Sequence, residues 1–403
     1  MTKLAINGGT PVRTRPFPKW PFWDKAEIQE LLEVIGSSVW GIGGVQVPAF
    51  EKAYAHYHEA AHGILVNSGT TGLEIALKAA GIGPGDEVLV PAYTFVATAS
   101  AVLTVGATVR FVDIDPETYN MDPAKIEAEI TPAARAVLPV DFAGRPADYD
   151  AILKLSAMHN LLVIEDAAQA WGAEWKGKKV GALGLAGMFS FQSSKNITSG
   201  EAGIILTNDD GFARLARSYI NCGRVEGGPW YEHHYAGGNY RPTEFQAAVL
   251  KAQLNRYEPL LKKRERNARY LDEQLAGIKG IGVMRLDPRI TRQAYHLYIF
   301  RYNQEAFGEM PKQTFLNTLR AEGIPASGGY GCPLYKQPLF VNRAFGPKGA
   351  PVDVGIDYTK YDLPVSEKAC AEEAVWLNQE TLLGETADMA DIVEAIVKIQ
   401  KNV

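Results

Sequence analysis

A chain of 403 residues is too long for one small core and long enough for a cofactor-sized domain plus a smaller one. Hydrophobic residues make up 46% and charged residues 22%, with a formal net charge of -5 at pH 7, a balance that exerts no electrostatic pull toward nucleic acid. Three scattered cysteines, Cys222, Cys332 and Cys370, form neither a disulfide framework nor a zinc-binding spacing. The opening residues lack a secretory leader pattern, and no apolar run approaches the roughly 20 residues of a bilayer span, so the reading is a cytoplasmic protein without metal, nucleic-acid or membrane partners.

From about residue 60 to 210, short β-branched runs alternate with amphipathic ones: GILVN, GLEIALKAAG, EVLVP, ATASAVLTVG, TVRFVDI, RAVLPV, a helix near Ile152 to His159, and LLVIED. Such alternation predicts a parallel sheet covered by helices, with strands buried on both faces because their apolar residues are consecutive. GIILTN after Gly203 reads as a further strand, and Thr243 to Leu261 as a long helix. Beyond residue 260 the pattern mixes a strand at HLYIFRY with helices around Lys312 to Glu322 and Met389 to Lys401.

Three segments carry chemistry. In NSGTTGLEIALKAAG a strand ends at Asn67 and a helix begins at once, with Gly81 placed to stop it, so Ser68, Gly69, Thr70 and Thr71 sit where free N–H groups and the helix dipole suit a phosphate. Ser and Thr also favour such junctions as plain caps. In LLVIEDAAQAWGA a buried strand delivers Glu165 and Asp166 to its carboxyl end, where α/β sheets bind ligands; an Asp there can keep a pyridine nitrogen protonated or simply cap a helix. In GMFSFQSSKNITSGEAGIILTN, Lys195 lies between two buried-looking strands, where a desolvated amine can lose its proton and form a Schiff base, and Ser190 is five residues earlier. Phosphate cradle, carboxylate and lysine follow one another in the chain order expected of a pyridoxal-phosphate (PLP) enzyme.

The segments NSGTTGLEIALKAAGIGPGDEVLVPAYTFVATASAV, FVDID, PADYDAI, VIEDAAQAWGA, SFQSSKNITSGEAG and GGNYRPTEFQAAVLKAQL together resemble the StrS/DegT family of sugar aminotransferases over nearly the whole chain. The resemblance implies an α/β, fold-type-I PLP-dependent transferase: a large domain over residues 1–260 with a mixed, mostly parallel seven-stranded sheet, and a smaller α+β domain over 261–403. It implies that Gly69, Thr70 and Ser190 hold the phosphate and that Phe95 stacks on the ring. Asp166 would pair with the ring nitrogen, Gln169 would contact the ring hydroxyl, and Lys195 would be the catalytic amine, with pyridoxamine phosphate formed during turnover. Asn239 stands where family members reach the neighbouring subunit's phosphate, which implies a homodimer with shared active sites.

Finer likeness lies in LAINGGTPVR, FPKWP, the CGR at Cys222 to Arg224, YEHH and CPLYKQPLF, which resemble aminotransferases of keto-cyclitols and keto sugars, scyllo-inosose being the type substrate. His233, His234, His296, Tyr330 and Tyr335 are then candidates for substrate hydroxyls, and Arg241 or Arg301 for the carboxylate of a glutamine or glutamate donor. Trp171 and Asp141 stand where the family commonly has His. Rival readings are a nucleotide-linked keto-sugar aminotransferase, a non-catalytic PLP-binding regulator, and a sugar dehydratase, in which His typically replaces the lysine.

Overall fold

The computed structural model describes residues 3–346 and 355–403. Its seven-stranded sheet is built from β1 (His62–Val66), β2 (Glu87–Pro91), β3 (Thr108–Val112), β4 (Ala134–Val137), β5 (Leu162–Asp166), β6 (Ala186–Ser190) and β7 (Gly203–Thr207). They are ordered β1-β7-β6-β5-β4-β2-β3. Neighbours from β6 through β5, β4 and β2 to β3 are parallel, and β7 alone runs against both its neighbours. The expected mixed, mostly parallel sheet is therefore present.

The consecutive apolar residues of the strands serve two cores. Ile64, Val66, Val88, Val90 and Ile164 pack on one face, while Leu65, Leu89, Val137 and Val163 pack on the other. The covering helices are α1 (Lys25–Ser37), α2 (Gln46–Tyr57), α3 (Gly69–Ala79), α4 (Val96–Thr104), α5 (Tyr149–Met158) and α6 (Asp210–Ile220). The first core takes Leu73 and Leu77 of α3 and Val102 of α4; the second takes Phe50 and Tyr54 of α2 and Ile152 of α5. Gly81 ends the α3 region with φ +77°, as its position suggested.

Helix α7 (Glu244–Leu275) is capped by Thr243 through a reciprocal box with Gln246 and runs 14 residues beyond the expected end at Leu261. Residues 262–275, KKRERNARYLDEQL, are mostly strong helix formers, and the buried Arg264, Asn267, Leu271 and Leu275 give the extension an inner face. The expected division near residue 260 thus falls inside a continuous helix that passes through Pro259. A second, antiparallel sheet follows: β8 (Ile281–Val283), β9 (Leu297–Tyr302), β10 (Ala326–Ser327) and β11 (Ala374–Asn378), ordered β8-β9-β11-β10. It packs with α8 (Lys312–Ala321) and α9 (Thr386–Gln400) on a third core. The opening segment also joins that core: Leu4 is buried in it, and the buried Arg13 pairs with Asp388 at 2.6 Å and Asp391 at 2.8 Å.

Strand pleating assigns opposite roles to the two carboxylates that end β5. Glu165 is fully buried and accepts N–H bonds from Gly181 (2.5 Å), Leu183 (2.6 Å) and Gly184 (2.7 Å). Burial raises its pKa to about 7 against the lowering effect of those donors. It is the anchor of the 181–184 turn, and Asp166 is left to face the other way. Replacing Glu165 with Ala strands three backbone donors, at about 1 kcal/mol or more each, so a loss of about 3 kcal/mol is expected in denaturant unfolding of the cofactor-free protein.

Candidate active site

Sheet register brings the three chemical segments to one edge. Val66 of β1 pairs with Gly203 of β7, and Gly203 pairs with Ser190 of β6, so these residues lie in line across the sheet. Asp166 pairs with Met188, one strand further over. A Cβ on Gly203 would come within 2.7 Å of the Ser68 carbonyl oxygen, and one on Gly69 within 2.8 Å of Ser190 Cβ. Absence of side chains at both positions lets the start of α3 settle against Ser190. Ser68 Oγ accepts the Thr71 N–H at 3.2 Å, so Ser68 and Thr71 are occupied with capping, and Gly69 and Thr70 supply the first-turn N–H groups that a helix leaves without internal partners.

Ser68, Gly69, Thr70 and Ser190 line a cavity of about 960 Å³ whose walls also include Phe95, Asp166, Gln169, Lys195, His296 and Tyr330. Asp166 is buried; its carboxylate accepts the Thr98 hydroxyl at 2.7 Å and the Ala168 N–H at 3.2 Å. Burial raises its pKa, with those two donors and the Lys195 ammonium acting in opposition. Desolvation lowers the Lys195 amine to about 8 despite the nearby Asp166 carboxylate. Its Nζ lies 5.9 Å from the centre of the Trp171 ring, and the Trp171 indole donates to the Ser190 carbonyl at 3.2 Å. Trp171 therefore backs the lysine.

Gln169 is oriented by the Ala143 N–H, which donates to its Oε1 at 2.7 Å, leaving the amide NH2 for the cavity side where Tyr330 stands. His296 is buried beside Asn196 (3.1 Å) and is kept neutral by burial and by the Lys195 and Arg264 charges. Phe95, at the start of α4, is 58% exposed although large and apolar, as a ring waiting to cover a flat ligand would be.

Other expected residues lie elsewhere. Tyr335 is buried in the first core against Phe111, and its hydroxyl donates to Glu367; aromatic packing claims it. His233 is tied to the Cys222 carbonyl at 2.7 Å and His234 to Glu232 at 2.9 Å, both outside the cavity. Arg241 donates to Asn221 at 2.9 Å and lines a different cavity, with Arg214, Arg217 and Arg224. Arg301 donates to the Pro116 carbonyl at 3.2 Å. Asn239 pairs with Asn221 as an isolated bridge and does not line the Lys195 cavity. Asp141 sits beneath the site, not on its substrate side: fully buried, it accepts from the Ala147 N–H and the Tyr149 hydroxyl, each at 2.9 Å. Thr98, in the first turn of α4, was missed; its hydroxyl lies 2.9 Å from that of Thr94, which precedes the helix. Among the described residues no cluster of His, Cys, Asp or Glu could hold a metal ion, and no helix is long and apolar enough to cross a membrane.

A mostly parallel sheet with a buried carboxylate, a lowered-pKa lysine and a helix N-terminus at one edge defines the class, and comparison with known proteins agrees. Residues 21–397 match the model of the DegT/DnrJ/EryC1/StrS aminotransferase family, and the chain belongs to that family. It is similar to a protein of Streptoalloteichus tenebrarius provisionally named L-glutamine:3-amino-2,3-dideoxy-scyllo-inosose aminotransferase, at 38% identity over 100% of this chain and 99% of the relative. A second protein of that organism, L-glutamine:2-deoxy-scyllo-inosose aminotransferase, is 37% identical over 99% and 98% of the two chains. Among solved structures, 3-amino-5-hydroxybenzoic acid synthase superposes with a TM-score of 0.87 at 33% identity, covering 97% of this chain and 100% of that one. The protein is an aminotransferase of this family, whose members depend on PLP.

A neutral amine is the nucleophile toward an aldehyde, so the rate at which cofactor-free protein takes up PLP is expected to rise with pH and level off above about pH 8. Stopped-flow absorbance checks this, and a flat profile between about pH 6.5 and 9.5 would contradict a lysine lowered in this way.

Proposed function

We propose that the protein binds PLP in the Lys195 cavity and transfers an amino group from glutamine or glutamate to a keto-cyclitol of the scyllo-inosose kind, giving an aminocyclitol. The observation that carries this reading is the convergence of Lys195, Asp166, Gln169, Ser190 and the start of α3 on one cavity. The acceptor class is supported by the names of the two relatives just described and by their full-length match.

The residues present fit the cofactor. Gly69, packed on Ser190, leaves backbone N–H groups and a hydroxyl side by side for a phosphate. Asp166, an acceptor buried at the strand end, would hold a protonated ring nitrogen; Gln169 would meet the ring hydroxyl and Phe95 a ring face. When bound, PLP supplies an electron sink for negative charge at the carbon that carries the amino group. Lys195 does the proton work: with a pKa of about 8 its Nζ can take a proton from the donor carbon and later return one to the acceptor carbon at near-neutral pH. Trp171 behind it restricts where the amine can swing.

A homodimer is part of the proposal. Asn239 lies in an exposed segment outside its own cavity, and the strongly exposed Ile42, Val45, Trp230 and Tyr231 are the kind of surface that a second copy would cover. Asn239 would then serve the partner's phosphate.

The test is an absorbance spectrum of purified protein before and after glutamine or glutamate, with Lys195→Ala alongside. The visible band of lysine-bound cofactor should shift with donor and return on adding a keto-cyclitol, and it should be absent or unresponsive in the variant. PLP binding with no response to either donor would overturn the assignment.

A further inference from the structure

The wall of the cavity formed by the end of β11 holds a group of hydrogen-bond donors that none of the described residues satisfies. Gln379 follows β11, lines the cavity and is 1% exposed. Its Oε1 accepts both Nε (3.0 Å) and Nη2 of Arg264. A guanidinium only donates, so the amide is fixed with its oxygen toward Arg264 and its NH2 turned away. That NH2 is buried and without a partner. Arg264 itself is 0% exposed, with Nη1 also unpartnered, and among the described residues no carboxylate lies within ion-pair distance. Tyr257 and Glu380 act on its charge only from further off. Trp20, stacked 5.5 Å above the guanidinium, lines the same cavity and carries a third unpartnered donor, its indole N–H.

Buried donors without acceptors destabilise a fold, and an unpaired buried cation does so more strongly, so their grouping calls for a ligand that is rich in acceptors and negatively charged. A carboxylate has both properties. Neutral cyclitol hydroxyls would leave the Arg264 charge uncompensated. We propose that Gln379 and Trp20, with Arg264 behind them, bind the α-carboxylate of the amino donor. This rests on the aminotransferase reading, and it makes Gln379 a residue for the donor half-reaction alone.

The measurement is the donor concentration giving half of the spectral change, in PLP-loaded wild type, Gln379→Glu and Trp20→Phe. Gln379→Glu gives Arg264 a covalent counter-charge, which favours folding, and sets a negative charge against the donor. It should raise the half-saturating glutamine or glutamate concentration at least tenfold, and Trp20→Phe about threefold, while the starting spectrum and the half-saturating keto-cyclitol concentration stay within about twofold. An unchanged donor requirement in both variants, or a loss confined to the acceptor, would overturn the proposal. Should wild type ignore both donors, the aminotransferase reading fails by itself. Calorimetric binding of glutarate then decides the subsite: tenfold weaker in Gln379→Glu supports it, and equal affinity refutes it.

Discussion

The site depends on what happens to two adjacent carboxylates where β5 ends. Because a strand points successive side chains to opposite faces, Glu165 and Asp166 cannot serve the same end, and one ties down the turn at residues 181–184 while the other meets the cavity. Asp166 is then fixed by the Thr98 hydroxyl, so α4 as well as β5 determines where the negative charge stands. Lys195 comes to it from the loop after β6, the parallel neighbour of β5. A carboxylate and an amine brought together by pairing of neighbouring strands need no long-range adjustment to stay in reach of one another.

Much of this arrangement was legible in the sequence because it depends on local pattern. Consecutive apolar residues identified strands buried on both faces, and strand ends pointed to residues 68–71 and to Glu165 and Asp166 as groups at the ligand edge, from which the family resemblance singled out Gly69, Thr70 and Asp166. What escaped was whatever depends on pairing between distant segments. Thr98 became a partner of Asp166 only when α4 was laid over the sheet edge, and Gln379 joined Arg264 across 115 positions. Tyr335 was a candidate through the resemblance of CPLYKQPLF alone, and its packing on Phe111 and its bond to Glu367, both distant in sequence, could not be read from that segment. The helix beginning at Thr243 was underestimated because charge-rich residues past Leu261 disguise an inner face made of one residue in three or four.

The polar residues around the cavity divide by how they are satisfied. Gln169 and His296 each have a protein partner that fixes one end and leaves the other for a ligand, while Asp166 accepts one protein donor on each oxygen. Gln379 and Arg264 go further, as among the described residues Nε2 of the one and Nη1 of the other have no partner. A protein that keeps such groups buried forgoes stability at that spot, a pattern common where a ligand completes the structure.

Helix α7 has a consequence for anyone exchanging parts between relatives. It begins beside the exposed segment that carries Asn239 and Arg241, and it ends in the third core; midway along it Arg264 and Asn267 grip residues 379–384. A chimera joined at residue 260 would splice two half-helices of different parentage inside one continuous helix, just ahead of that grip. A junction before Thr243 would keep helix and grip together, whereas one after Leu275 would part Arg264 and Asn267 from residues 379–384; the stretch from Leu4 to Phe17 would have to travel with the C-terminal portion, since it is there that Leu4 and Arg13 are buried.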